Sequence, residues 1–291
     1  MSILLDGATR VIIQGMTGRE GSFHTRLMRE YGTQIVGGIT PGKGGQTHEG
    51  IPVFDTVVEA RRETGAEASI TFVPKSAAVD SMVEAIRAGL RLVVCITDGI
   101  PVHDMLLVRA MAREAHCTLI GPNCPGLITP GKSKLGFMPS HVYDPGSVGV
   151  VSKSGSLSYE VAYELTRAGL GQSTVVGIGG DPVKGCSFVD LLPLFADDPE
   201  TQAIVLLGEI GGTDEELAAD WLEENRTRKP VIAYMVGRMS PPFVKMGHPG
   251  TLFVRNDRSF VEKVERLRAA GVTIASSPWD VVACTQSAMG R

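Results

Sequence analysis

His248 lies in the stretch KMGHPGTLF (245–253), which has neither helical nor alternating strand periodicity. A ring flanked by Gly247 and Gly250 has little side-chain bulk beside it, so other groups can approach closely, as a reactive or ligating imidazole requires. An ordinary turn histidine has the same surroundings, and both readings stand at this point. Glu209, in GEIGG (208–212), closes an apolar run. A buried acid at a strand end is costly without a partner. A histidine suits it, because a carboxylate fixes the imidazole tautomer and raises its basicity. His248 follows the next strand, so a Glu209–His248 pair is the expectation.

Three further segments have the composition of anion sites. VIIQGMTGREGSFH spaces Gly15, Gly18 and Gly21 as G-x-x-G-x-x-G between an apolar run and a helical pattern. The glycines permit a tight turn, and a helix N-terminus offers free N–H groups to a phosphate, although a plain strand-to-helix turn reads the same way. The spacing is not the G-x-G-x-x-G fingerprint of redox dinucleotides. The second strand runs into GGITPGKGG instead of ending in a ribose-binding acid, and Lys43 on that glycine-rich loop suits a phosphate. ITDGIP (96–101) follows another strand, and its Asp98 either caps the next helix or faces a ligand. In VSKSGSLSYE (151–160), Ser154, Gly155 and Ser156 repeat the strand–glycine–helix design with hydroxyls. Neither a Walker A loop, a G-x-S-x-G elbow nor a metal-ligand spacing of His and Cys is present.

These groups must be positioned by repeating units. Short β-branched runs (10–14, 33–38, 68–73, 90–97, 116–121) alternate with helical patterns near 19–31, 56–65, 77–89 and 102–114. After a Pro/Gly-rich connection the rhythm restarts with runs at 148–152, 173–179, 202–210 and 229–236. Helices are expected near 155–169, 187–197 and 213–225, with a last helix and short strand after about 259. Continuous apolar runs read as parallel strands covered on both faces, hence an α/β chain of two doubly wound parts. The expected division is residues 1–125, a connection at 126–147, and residues 148–291.

The 291 residues allow one large or two ordinary domains. A net charge of −4 gives no electrostatic reason to expect nucleic acid or an anionic membrane. Glycine is enriched, 35 of 291 against a usual share of about 7%, and it gathers at strand ends. Five scattered cysteines without C-x-x-C spacing argue for reduced thiols. No apolar run is long enough to span a membrane, and the N-terminus lacks a leader pattern. A cytoplasmic protein, or the mature form of a mitochondrial one, is the expectation.

Taken together, GMTGREGSFH, GGITPGKGG, ITDGIP, GPNCPG, SKSGSLSYE, GIGGDP, GEIGG and MGHPG resemble, in order and spacing from residue 1 to about 275, the α subunit of succinyl-CoA synthetase. Small subunits of citryl-CoA and malyl-CoA synthetases are related to it. The resemblance implies a Rossmann-like CoA-binding domain followed by a flavodoxin-like domain. It implies CoA contacts at Thr17, Gly18, Arg19, Glu20, Lys43, Ile96, Thr97 and Asp98, and a carboxylate-substrate contact at Tyr159. It implies a phosphorylated His248 partnered by Glu209, and phosphate binding at the helix that Ser154, Gly155 and Ser156 begin. It also implies an ATP-grasp β subunit carrying ATP or GTP and Mg²⁺, without which the chain is inactive, and a dicarboxylate or tricarboxylate substrate.

The chain departs from the family pattern near the phosphoryl end. Pro249 replaces an alanine, VRNDRS (254–259) replaces glycines, and SPPFVK (240–245) keeps only Lys245 of a basic stretch. Ser140 stands where glycine is usual and Lys153 where arginine is. Proline removes a donor and restricts φ, so a stiffer histidine loop is expected. Succinate is the first expectation for the substrate, citrate or malate the alternative, and a non-catalytic CoA-binding relative the second.

Overall fold

The computed structural model describes residues 2–239, 247–251 and 260–291. The chain divides into two compact units. One comprises Leu4–Met138 with Val183–Gly185, the other Pro139–Pro182 and Cys186–Arg291 together with the first three residues.

In the N-terminal unit the elements run β1 (Val11–Gln14), α1 (Arg19–Glu30), β2 (Ile35–Ile39), β3 (Thr47–His48), β4 (Ile51–Phe54), α2 (Val57–Thr64), β5 (Ala68–Thr71), α3 (Lys75–Arg87), β6 (Leu92–Cys95), α4 (Val102–Glu114) and β7 (Thr118–Ile120). The sheet order is β3-β4-β2-β1-β5-β6-β7, parallel except at the β3–β4 edge. Every residue of β1, β5 and β6 is buried, because helices cover both faces. β2 and β5 flank β1 on opposite sides, so the chain direction of winding reverses beside β1 and opens a crevice at the carboxyl ends.

The β3–β4 pair was not expected, since Pro52 and a two-residue strand carry little strand signal. Pro52 sits on the antiparallel edge, outside the β2 ladder of Val53 and Phe54. Within residues 126–147, where composition suggests only a connection, β8 (Gly126–Thr129) and β9 (Ser133–Gly136) form an antiparallel hairpin. The Thr33 hydroxyl donates to the Lys134 carbonyl and anchors the hairpin within the same unit.

The C-terminal unit runs β10 (Pro145–Ser152), α5 (Gly155–Arg167), β11 (Gln172–Gly177), α6 (Phe188–Asp197), β12 (Ala203–Glu209), α7 (Asp214–Asn225), β13 (Val231–Val236), α8 (Phe260–Ala269), β14 (Thr273–Ala275) and α9 (Asp280–Ala288). Its parallel strands pair in the order β14-β13-β12-β10-β11. Counted from the first strand, that is the 2-1-3-4-5 order of flavodoxin-like sheets. Helix α9 was not expected. It buries Val281 and Thr285, too sparse an apolar stripe to stand out as a period.

Candidate functional site

In the N-terminal unit the chain leaves β1 through Gly15 at φ +83°, where an added Cβ would lie 2.4 Å from the Phe72 carbonyl oxygen. Only glycine allows the turn to pass that close to the end of β5. Gly18 is the N-cap of α1 and provides no side-chain cap, so the first-turn amides keep their capacity to donate. Lys43 Nζ donates to Thr17 Oγ1 at 3.1 Å, and Thr17 donates on to Thr40 Oγ1 at 3.2 Å. Asp55 holds the lysine loop, its Oδ1 accepting from the N–H groups of Gly42 and Gly44 at 2.7 and 2.9 Å. Asp55 had no role in the sequence reading, because an acid just before a helix reads as a cap.

Beside this cluster is a cavity of about 460 Å³, lined by Glu20, Ile96, Thr97 and Asp98 with His24, Phe72 and Phe137. Thr97 Oγ1 donates to the Val73 carbonyl at 2.8 Å and fixes the loop. The His24 ring stacks on Phe72, 5.2 Å between centroids, and burial lowers its pKa against the opposing charge of Glu20. Asp98 does not cap α4, whose N-cap is Pro101 without a side-chain hydrogen bond. Thus Thr17 and Lys43 form one cluster, and Glu20 joins residues 96–98 in another. The Arg19 side chain is 96% exposed and lies 3.8 Å from Glu20.

In the C-terminal unit His248 Nδ1 lies 2.7 Å from Glu209 Oε2. Glu209 ends β12 with its side chain 11% exposed, and the His248 side chain is 33% exposed. The carboxylate only accepts, so Nδ1 carries the proton and Nε2 of the neutral ring keeps its lone pair. The loop is not free-standing. The Gly250 N–H donates to the Gly180 carbonyl at 2.8 Å, and the Thr251 N–H and hydroxyl donate to the His248 carbonyl at 3.0 and 2.7 Å. An added Cβ at Gly180 would lie 2.4 Å from His248 Cγ and 2.7 Å from Nδ1. Gly180, in the GIGGDP segment, is therefore the residue that makes room for the ring. The Glu209 hydrogen bond, with the charges of Glu209 and Asp181, holds the His248 pKa above its ordinary 6.5, against burial and the charge of Lys153.

A cavity of about 280 Å³ opens on this ring, lined by Lys153, Ser154, Glu209, Val236, Gly247 and Thr251 among others. Ser154 is the N-cap of α5, its hydroxyl accepting from the Leu157 N–H at 3.4 Å, so the α5 N-terminus faces the same space. Gly155, Ser156 and Tyr159 lie on α5 but are not among the described residues lining the cavity. Behind it is a group of buried charges that sequence reasoning missed. Lys153 Nζ meets Asp214 Oδ2 at 3.1 Å and Glu215 Oε1 at 2.8 Å. Lys263 Nζ meets Glu215 Oε2 at 2.6 Å and Glu216 Oε2 at 3.1 Å, and donates to the carbonyls of Gly211 and Gly212. Burial opposes the charge on Lys153, but Glu215 and Asp214 prevail and hold its pKa above the lysine range. Burial likewise opposes ionisation of Glu215, and the two lysines overcome it.

Residues 240–245 and 254–259, where the sequence departs from the family pattern, lie outside the described residues, and Lys245 with them. Pro249 is described and sits in the turn closed by the Thr251–His248 hydrogen bonds. None of the five cysteines is joined in a disulfide. Among the described residues no His, Cys, Asp or Glu group is arranged to hold a metal ion, and no helix is long and apolar enough to cross a membrane.

A Rossmann-like unit with an uncapped glycine turn, joined in sequence to a flavodoxin-like unit with a carboxylate-held histidine, defines the class of CoA ligases. Residues 6–99 match the CoA binding domain family and residues 151–279 the CoA-ligase family. The chain is 52% identical to the succinate–CoA ligase [ADP-forming] subunit alpha of Aquifex aeolicus, over 96% of this chain and 92% of that one. It is 52% identical to subunit alpha 2 of the same enzyme in Archaeoglobus fulgidus, over 97% of each. Among solved structures it is similar to ATP citrate lyase from Methanothrix soehngenii in complex with citrate and coenzyme A. There the identity is 26% and the TM-score 0.89, with 99% of this chain covered. The chain spans about half (51%) of that lyase chain. It belongs to the succinate–CoA ligase α-subunit family.

Proposed function

We propose that this chain is the CoA-binding, phosphoryl-carrying α subunit of a nucleoside-triphosphate-dependent acid–CoA ligase that forms succinyl-CoA. The observation that carries this is the His248–Glu209 contact, which leaves Nε2 as the nucleophile in a cavity beside a helix N-terminus. His248 takes a phosphoryl group from ATP or GTP, releasing the diphosphate, and passes it to the substrate carboxylate. The CoA thiol then displaces phosphate from the acyl phosphate, so each transfer is one displacement.

CoA recognition is assigned to residues 1–125 and phosphoryl chemistry to 148–291, with 126–147 connecting them in sequence. The residues present fit CoA. The uncapped amides at Arg19 and Glu20 and the Lys43–Thr17 pair suit its phosphates, and the cavity walls of Glu20 and Ile96–Asp98 combine polar groups with apolar Phe72. Ser154, Gly155 and Ser156 supply the phosphate-binding helix end, and Tyr159, further along α5, is assigned to the carboxylate substrate. The nucleotide and Mg²⁺ belong to a partner, an ATP-grasp β subunit, in the cytoplasm.

The test is incubation of the chain with its β subunit and γ-labelled ATP. An acid-labile, base-stable label on wild type and none on His248→Asn is expected. Equal labelling of both would refute the phosphohistidine. The similarity to ATP citrate lyase favours citrate as the second reading of the substrate. A kcat/KM for succinate at least tenfold above those for citrate and malate is expected, and the reverse order would move the chain to the second reading.

A further inference from the structure

The buried charges behind His248 are arranged around one carboxylate. Glu215 Oε1 accepts from Lys153 Nζ at 2.8 Å and from the main-chain N–H of Glu209 at 3.1 Å, while its Oε2 accepts from Lys263 Nζ at 2.6 Å. Glu215 is 2% exposed, Lys153 4% and Lys263 0%. No solvent can replace a lost partner in such a setting, so the distribution of contacts is set by the protein alone.

Lys153 and Glu209 line the same small cavity as His248, and the charge of Glu209 acts on Lys153. Two cations could therefore claim the Glu209 carboxylate: the imidazole at Nδ1 or the Lys153 ammonium. A lysine that paired with Glu209 would take from His248 the acceptor that fixes its tautomer and aims Nε2. In the structure the ammonium is turned instead to Asp214 and Glu215, both in the first turn of α7. Lys263 reaches Glu215 from α8 and ties it to the Gly211 and Gly212 carbonyls, in the loop that follows Glu209.

We propose that Glu215 is a positioning residue for His248: it engages the Lys153 ammonium and the Glu209 amide on one oxygen, and so reserves the Glu209 carboxylate for the imidazole. The role attributed to the aimed Nε2 rests on the phosphohistidine reading above, but the reservation of Glu209 does not.

Among the described residues the charged groups around the ring are Glu209 from β12, Asp181 from the loop after β11, and Lys153 just after β10, with Asp214 and Glu215 of α7 behind Lys153. The experiment follows the imidazole titration of His248 by NMR in the full-length unphosphorylated chain, assigned by the signal lost in His248→Asn. In Glu215→Gln the ammonium keeps Asp214 but loses the charge of Glu215, so it turns to share Glu209, and the His248 midpoint falls towards the ordinary histidine value. In the double variant Glu215→Gln, Lys153→Met the competing ammonium is gone, and with it a charge that lowers the His248 pKa, so the midpoint returns to that of wild type or above it. A role in folding alone predicts no such recovery. An unmoved midpoint in the single variant, or a double variant at or below the single one, overturns the proposal.

Should Glu215→Gln not fold, Glu215→Asp keeps the charge and withdraws the carboxylate by one methylene. It must then lower the midpoint, with recovery when Lys153→Met is added, or the proposal fails. Labelling from ATP by the wild-type holoenzyme is scored separately. Its absence would remove the phosphohistidine reading while leaving the titration result intact.

Discussion

The ligand loops of the N-terminal unit and the histidine site of the C-terminal unit solve different electrostatic problems. Around Thr17 and Lys43 the polar groups are exposed, half-buried or main-chain, and they lean on one another through single hydrogen bonds near 3 Å. Around His248 the supporting charges are buried, and each ammonium is shared between at least two acidic side chains. A ligand such as CoA brings its own phosphates, so its site needs donors that water can satisfy meanwhile. On the proposed reading His248 gains and loses a dianion and has to stay aimed through the change, and a framework shielded from solvent favours that.

Four experiments would break or sharpen that contrast. The largest effect is expected from Gly180→Ala, whose new methyl group would overlap the His248 ring and push it off Glu209. Phosphoryl labelling should fall about 100-fold, as for other ångström-scale displacements, with CoA affinity within twofold of wild type. Labelling at the wild-type rate would mean that the ring is not held where the structure shows it.

Next comes Lys263→Met, which removes the cation from Glu216 and leaves Glu215 with Lys153 alone. Breaking one partner of a buried pair costs about 3–5 kcal/mol, to be read as a loss in unfolding free energy by denaturant titration. A loss below about 1 kcal/mol would put this network on a level with surface ion pairs and erase the contrast.

Lys43→Ala should do less, weakening CoA binding about tenfold, or about 1.4 kcal/mol, without changing stability. Calorimetry at two salt concentrations checks it, since an exposed cation's share shrinks as salt rises. An affinity identical to wild type would remove Lys43 from the site.

The smallest effect concerns pH. His248 binds its proton more tightly folded than unfolded, because Glu209 accepts its hydrogen bond. The resulting stabilisation is full below about 6.5, the ordinary histidine value, and is lost as pH rises through the folded midpoint. The stability difference between wild type and His248→Asn should therefore narrow as pH rises from 6 towards 9. A difference that widens would reverse the sign assigned to the pair.

Much of the fold was legible in the sequence. Unbroken runs such as VIIQ and AIVLLGE read as strands covered on both faces, and α4 spans the 102–114 expected of it. Turn chemistry identified Gly15–Gly21 and the strand end carrying Glu209. The β8–β9 hairpin and α9 escaped because short, glycine-rich or sparsely apolar segments leave no period to count.

Beyond Glu209, the support of the histidine site was not legible in the sequence. Asp214, Glu215 and Glu216 open a helix, where acids are favoured by the macrodipole whether or not anything else binds them. Lys263 looks like any lysine on an amphipathic helix, yet no part of it reaches solvent. Sequence alone determined which residues could do chemistry and which elements would carry them, because periodicity and turn geometry are local properties. The tertiary structure alone decided that Lys153 faces Glu215 and not Glu209, and that Gly180 makes room for the ring. Those choices depend on residues tens of positions apart competing for one buried partner, and a competition of that kind leaves no local pattern in a chain.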